Sequence, residues 1–162
     1  MKGKNIVIKT LNALLTGELS SADQYFIHSR MYHDWGFNAL YERIKHEQED
    51  ELLHAAQIVE RILFLEGTPD IASRAKLKIG KNVLQMLKND LSYELAVVTS
   101  LKKAISICEK EQDYVTRDLL IVLLKDTEED HTYWLEKQLG LIDKMGLDNY
   151  LQSQTKSSYS AI

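Results

Sequence analysis

Proline is almost missing from this chain. Pro69 stands alone among 162 residues, and glycine occurs only seven times. Together they make up about 5% of the sequence, less than half the usual share of roughly 12%. Sandwiches and barrels need a turn every dozen residues, so this shortage excludes most of them and favours long helices. Cysteine is scarcer still: Cys108 has no partner for an internal disulfide, which points to a reducing compartment. A basic excess is also lacking, because 20 Lys+Arg against 24 Asp+Glu leave a formal charge of −4. That balance excludes a nucleic-acid footprint. No stretch approaches the ~18 consecutive apolar residues of a membrane span. The opening Met1 to Lys4 leads into a segment broken by Asn5, Lys9, Thr10 and Asn12, unlike the apolar core of a secretion signal. A cytoplasmic protein without membrane or nucleic-acid partners is expected, folded as a single domain over 1–162.

The few breakers that exist divide the chain into long helical runs. The first is predicted over 5–34, ending at Trp35-Gly36, where glycine can take the left-handed cap conformation. The second covers 39–65 and stops at Glu66-Gly67-Thr68-Pro69. Residues 66–81 show no sustained periodicity and read as a long connection. A third helix is predicted over 83–111, then a tight turn at Gln112 and Asp113, then a fourth over 114–145 closed by Gly146. Leu147 to Gln154 suits a short fifth helix, and 155–162 a frayed tail. Short connections make antiparallel neighbours, whereas one of some sixteen residues can cross the length of a bundle. The expected fold is an all-α antiparallel four-helix bundle with one long crossover.

The buried seams, written at alternating spacings of three and four, carry the chemistry. Helix one gives Ile8, Leu11, Leu15, Glu18, Ala22, Tyr25; helix two gives Leu40, Ile44, Glu47, Glu51, His54, Ile58, Ile62, Leu65. Helix three gives Leu84, Leu87, Leu91, Glu94, Val98, Leu101, Ile105, Cys108. Helix four gives Ile121, Leu124, Glu128, His131, Leu135, Gln138, Ile142, Met145. Each seam is interrupted by glutamate near its middle, and two carry Glu-x-x-His. One such interruption is ordinarily a solvated residue on a stripe drawn slightly off. Four at matching depth are different, since each unpaired buried carboxylate costs several kcal/mol and a domain has only about 5–15 kcal/mol to lose. No Lys or Arg interrupts these seams at that depth, so the countercharge must come from outside the chain. Two divalent cations match four glutamates in charge. Residues at i and i+3 share a helical face, which lets each Glu-x-x-His serve one metal. Hard oxygen donors with one imidazole per metal suit iron or manganese, with a pair of ions about 3.5–4 Å apart. Glu18 precedes Glu51 by 33 residues and Glu94 precedes Glu128 by 34, so the bundle reads as two pseudo-symmetric hairpins.

The text of the chain resembles the bacterioferritins and bacterial ferritins of the ferritin-like di-iron superfamily over nearly its whole length. The stretches that carry this are Leu14 to Phe37, Arg61 to Asp70, Asp113 to Leu120 and Glu128 to Gln154. Glutamate from two helices plus Glu-x-x-His from the other two is the ligand set of such di-iron bundles. The resemblance implies a ferroxidase centre at Glu18, Glu51, His54, Glu94, Glu128 and His131, bridged by Glu51 and Glu128. It implies two iron ions per chain, oxidation of Fe²⁺ by O₂ or H₂O₂, and a 24-subunit cage built from dimers that stores ferric mineral. One position departs. Bacterioferritins carry a haem-ligating Met immediately after the helix-two glutamate, and here that residue is Leu52. No haem is therefore expected in the homomer. Co-assembly with a Met-bearing bacterioferritin subunit is left open.

Other residues have two readings. His46, Glu47 and Asp50 suit a solvated face or a secondary iron site on the inner surface. Tyr25 suits a hydrogen-bonded core tyrosine or an electron donor to the iron pair. Cys108 is expected to be inert. His28 and His33 read as surface or interface residues, Met31 as packing, Trp35 and Trp134 as core or interface aromatics. Asp34 and Glu66 read as ordinary helix-end carboxylates, with an iron pore as the alternative. Two rival functions stand beside iron storage. A di-iron oxygenase or peroxidase is one, although a rubrerythrin-like chain would need a Cys-x-x-Cys pair that is absent. A purely structural bundle is the other.

Overall fold

The computed structural model of the chain describes residues 1–156; the predicted tail beyond Lys156 lies outside the described residues. Four long rods form the bundle. α1 is Asn5–Asp34, α2 Asn38–Phe64 and α3 Val83–Lys110. The fourth rod has three parts: α4 (Tyr114–Asp126), a π-helical segment (Thr127–Thr132) and α5 (Tyr133–Met145). A short α6 (Leu147–Ser153) follows. Gly36 and Gly146 end their helices at φ of 82° and 81°, a conformation in which a Cβ is strained. At the other ends, the Asn82 and Asp113 side chains accept from the backbone N–H groups of Gln85 and Thr116, capping α3 and α4.

α1 packs along α2, and α3 along the fourth rod, as the short connections require. The crossover from α2 to α3 follows a polar stripe on α1. Asn12 accepts from Asp70 N–H, Ser20 from Ala75, Gln24 from Lys78 and His28 from Gly80. From Asn12 to His28 this pairing spans about 24 Å of helix, at ~1.5 Å per residue. It satisfies backbone donors that the irregular segment would otherwise leave unpaired. His28 is therefore not the surface residue the sequence suggested. It is fully buried, with Nε2 accepting from Gly80 and Nδ1 lying 2.8 Å from Asp90, which also accepts from Gln24.

Two apolar cores fill the bundle. One is built on Leu11, Leu15, Ile58, Ile62, Leu101 and Leu120, the other on Tyr32, Leu40, Ile44, Met86, Leu87 and Ile142. Glu18, Glu51, His54, Glu94 and His131, buried and drawn from all four rods, belong to neither core. Among the described residues no helix is long and apolar enough to cross a membrane.

Candidate metal centre

Glu18, Glu51, His54, Glu94 and His131 come from four different rods and are each at most 6% exposed. Their atoms form two clusters that share Glu51. In the first, Nδ1 of His54 lies 3.7 Å from Glu18 Oε2 and 3.6 Å from Glu51 Oε2. In the second, Nδ1 of His131 lies 3.0 Å from Glu51 Oε1 and 3.4 Å from Glu94 Oε1. Each set presents its donor atoms within 4.8 Å of one another, close enough for one cation per cluster. The two imidazoles stack with centroids 5.7 Å apart. Both oxygens of Glu18, one each of Glu51 and Glu94, and Nδ1 of both histidines have no hydrogen-bond partner. Buried polar atoms are rarely left in that state. One hard divalent cation in each cluster fits this donor set and would give these atoms partners.

The far side of each ring is held as well. Nε2 of His54 lies 2.8 Å from Asp126 Oδ2, and Nε2 of His131 2.7 Å from Glu47 Oε2. A carboxylate on the second ring nitrogen fixes the orientation of a metal-binding imidazole and raises its basicity. Glu47 is in turn paired with Arg43, which also reaches Asp130 at 2.8 Å. Glu47, Asp50, Asp130 and the outer nitrogen of His131 make a third acidic group. His46 stands at its rim, 58% exposed and 3.2 Å from Asp50. Tyr25, buried, donates its hydroxyl to Glu94.

Glu128 does not join the others. Its side chain is 43% exposed and pairs with Lys102 on α3 at 2.7 Å. The physical reason is the π segment. Its i→i+5 turn inserts an extra residue, so the part of the rod before it is shifted by one position relative to a continuous α-helix. The buried seam runs Leu120, Leu123, Thr127, His131, Leu135, Gln138, Ile142 rather than starting at Ile121, Leu124 and Glu128. Ile121 is 45% exposed and Met145 37%, correcting the predicted seam at both ends. Across the π turn, Asp126 shares the face of His131, with Oδ2 3.7 Å from its Nε2. Asp126, Asp130 and Arg43 were missed by the seam argument. Asp126 lies five residues before His131, a spacing that no α-helical template tests.

The electrostatics follow from this crowding. Burial and then the Glu51 charge hold the Glu18 carboxyl well above its ordinary range. Burial works against the His54 imidazolium, but Glu18 and Glu51 outweigh it and push its pKa up to about 11. His131 is raised in the same way, against burial, by Glu47, Glu51 and Glu94. Burial first, then Glu94 and Asp90, raise the Tyr25 phenol.

A family profile for the ferritin-like domain matches residues 8–145. The chain belongs to the ferritin family. It is 60% identical over 154 residues to a bacterial ferritin of Synechocystis sp., covering 95% of this chain and 99% of that one. It is 59% identical to a bacterial ferritin of Paramagnetospirillum magnetotacticum, with 94% of each covered. A bacterioferritin of Mycolicibacterium paratuberculosis is 41% identical over 150 residues, covering 93% of this chain and 94% of that one.

Proposed function

We propose that this protein is a ferroxidase subunit that stores iron. The observation that carries the reading is the pair of buried carboxylate–imidazole clusters sharing Glu51, which four rods assemble around atoms with no other partner. Two Fe²⁺ ions are the substrate. Glu18 and His54 hold one, Glu94 and His131 the other, Glu51 lies between them, and Glu128 supplies the sixth ligand by leaving Lys102. Each Fe²⁺ gives one electron to O₂ or H₂O₂, and the site's contribution is to keep both reductants within reach of one oxidant.

Two openings serve the site. On the α2/α4 side a cavity of about 470 Å³ is lined by Asp50, His54, Asp126, Glu129 and Asp130, whose carboxylates suit a cation. We assign it, with Glu47, Asp50 and rim residue His46, to iron passing between the site and the storage space. On the α1/α3 side a cavity of about 280 Å³ reaches Glu18 among Ala13, Gly17, Tyr93, Ala96 and Val97. We assign Tyr25 the role of electron donor to the second iron; its hydrogen bond to Glu94 supports that reading.

The chain is read as one domain that assembles through dimers into a cytoplasmic cage of 24 subunits, each of 18.7 kDa. Leu52, 47% exposed on α2, offers no lone pair where a haem-ligating Met would stand, so the homomer is read as haem-free. Glu94→Ala tests the centre. Initial Fe²⁺ oxidation should fall by more than about tenfold, the loss typical of disturbing even an outer partner of a metal site. The cage should elute unchanged on size-exclusion chromatography. An unaltered initial rate in an assembled variant would refute the assignment, and a dimeric wild-type protein would refute storage.

A further inference from the structure

The proposed centre lacks one carboxylate in this structure, and that carboxylate is held elsewhere by a cation. Glu128 lies on the π segment, three residues before His131. On an α-helix, with ~3.6 residues per turn, residues three apart lie on one face. The wider π turn separates them, so His131 faces the cluster while Glu128 faces α3 and meets Lys102. Both members of that pair are partly solvated, with side-chain exposures of 59% and 43%. Such π turns recur at functional sites, and a one-residue shift in the register of α4 would return Glu128 and His131 to the spacing of a continuous α-helix.

We propose that Lys102 is a positioning residue that latches Glu128 outside the centre, so that the last ligand enters only when the second metal ion competes for it. The proposal rests on the reading of Glu128 as a ligand. An exposed ion pair is weak enough to be released by a metal yet strong enough to bias which register the rod adopts. Both three-residue clusters form without Glu128, but Glu128 stands three residues before His131 and so completes the ligand shell on the His131 side, leaving the Glu18 and His54 cluster to load independently of the latch. Order of loading is then built into the rod. One ion binds the preformed cluster, and the second must also outbid Lys102.

Anaerobic Co²⁺ titration of the whole assembly, followed by visible absorption and calorimetry, tests this without iron oxidation. Wild-type protein should bind in two steps. Lys102→Met, which keeps the aliphatic stem, should tighten the second step about two- to fivefold, the range an exposed pair supplies. The first step should not move, whereas a general loss of positive field would shift both. Raising the salt concentration weakens metal–carboxylate attraction in both proteins, but the second step of the wild type should weaken less than that of Lys102→Met, because screening also releases the Lys102 pair. Lys102→Arg should behave as wild type. A second step that is unchanged or weaker in a normally helical Lys102→Met protein overturns the latch. The ligand reading fails separately: Glu128→Gln with both steps at wild-type affinity would remove Glu128 from the centre, and with it the object of the latch.

Discussion

Loading the centre with metal should expel protons, and the structure sets how many. Nδ1 of His54 and of His131 each face two glutamates at 3.0–3.7 Å, and those carboxylates raise both imidazoles, His54 to about 11, so each favours the protonated form at neutral pH. Glu18 is held above the usual carboxylate range by burial and by Glu51, which adds to the protons a metal must displace. A metal needs the neutral imidazole and the ionised carboxylate. Filling both clusters at pH 7 should therefore release about two to three protons per chain. The sign follows from the direction of the shifts. Protons compete with metal wherever the pH lies below the raised pKa values, so affinity rises with pH through the neutral range. Each released proton is worth about a factor of ten per pH unit, so the combined constant for the pair should climb by about 10²–10³ from pH 6 to 7. Calorimetric titration with Zn²⁺, which has no redox chemistry, in buffers of different ionisation enthalpy reads the number directly as a slope. A heat that does not depend on the buffer would mean that the empty centre is already deprotonated, and would refute the electrostatic account.

Two further substitutions probe the frame around the centre. Leu52→Met should give the homomeric cage a strong haem absorption band when haem is supplied, while the wild type has none; tightly bound six-coordinate haem in the wild type would refute the role given to Leu52. Gly80→Ala should lower stability by about 1–3 kcal/mol, because its Cβ would stand 2.5 Å from Met86 N and 2.8 Å from Met86 Cα, which are backbone atoms that cannot turn away. Thermal unfolding of the metal-free protein measures that loss, and an unchanged midpoint would mean that the crossover yields more easily than its bonds to α1 suggest.

Helix ends and the crossover were legible in the sequence because few residues can make them. Gly36 and Gly146 take a conformation costly to other residues, and Pro69 sits in the one long connection. Four of the five converging side chains were legible because α1, α2 and α3 keep a single α register past Glu18, Glu51, His54 and Glu94. The fourth rod does not, and its sequence hides the fact. Leu119 to Leu124 is six apolar residues in a row, so seams through Leu120 and Leu123 or through Ile121 and Leu124 score alike. Periodicity could not choose the phase, and the three-residue spacing of Glu128 and His131 favoured the continuous helix. The burial of His28 was illegible for another reason. Asn12, Ser20, Gln24 and His28 look like a solvated face, and only the crossover's unpaired N–H groups make that face an interior one.

The metal-free charge balance also differs from the one the seams implied. Four facing glutamates with no countercharge could not survive in a bundle of ordinary stability. Three glutamates converge instead, and two imidazolium rings stand among them. Glu128 is paid off by Lys102 at the surface, and Glu47 by Arg43. The empty bundle thus holds together on protons at the centre itself, with Lys102 and Arg43 neutralising the carboxylates around it. That arrangement suits a site whose metal comes and goes. A buried Lys or Arg in place of the protons would stabilise the empty state permanently and compete with iron at every pH. Protons compete only to the extent that bulk pH supplies them. What remains unsatisfied, above all the two oxygens of Glu18, is the part of the site that a metal would complete.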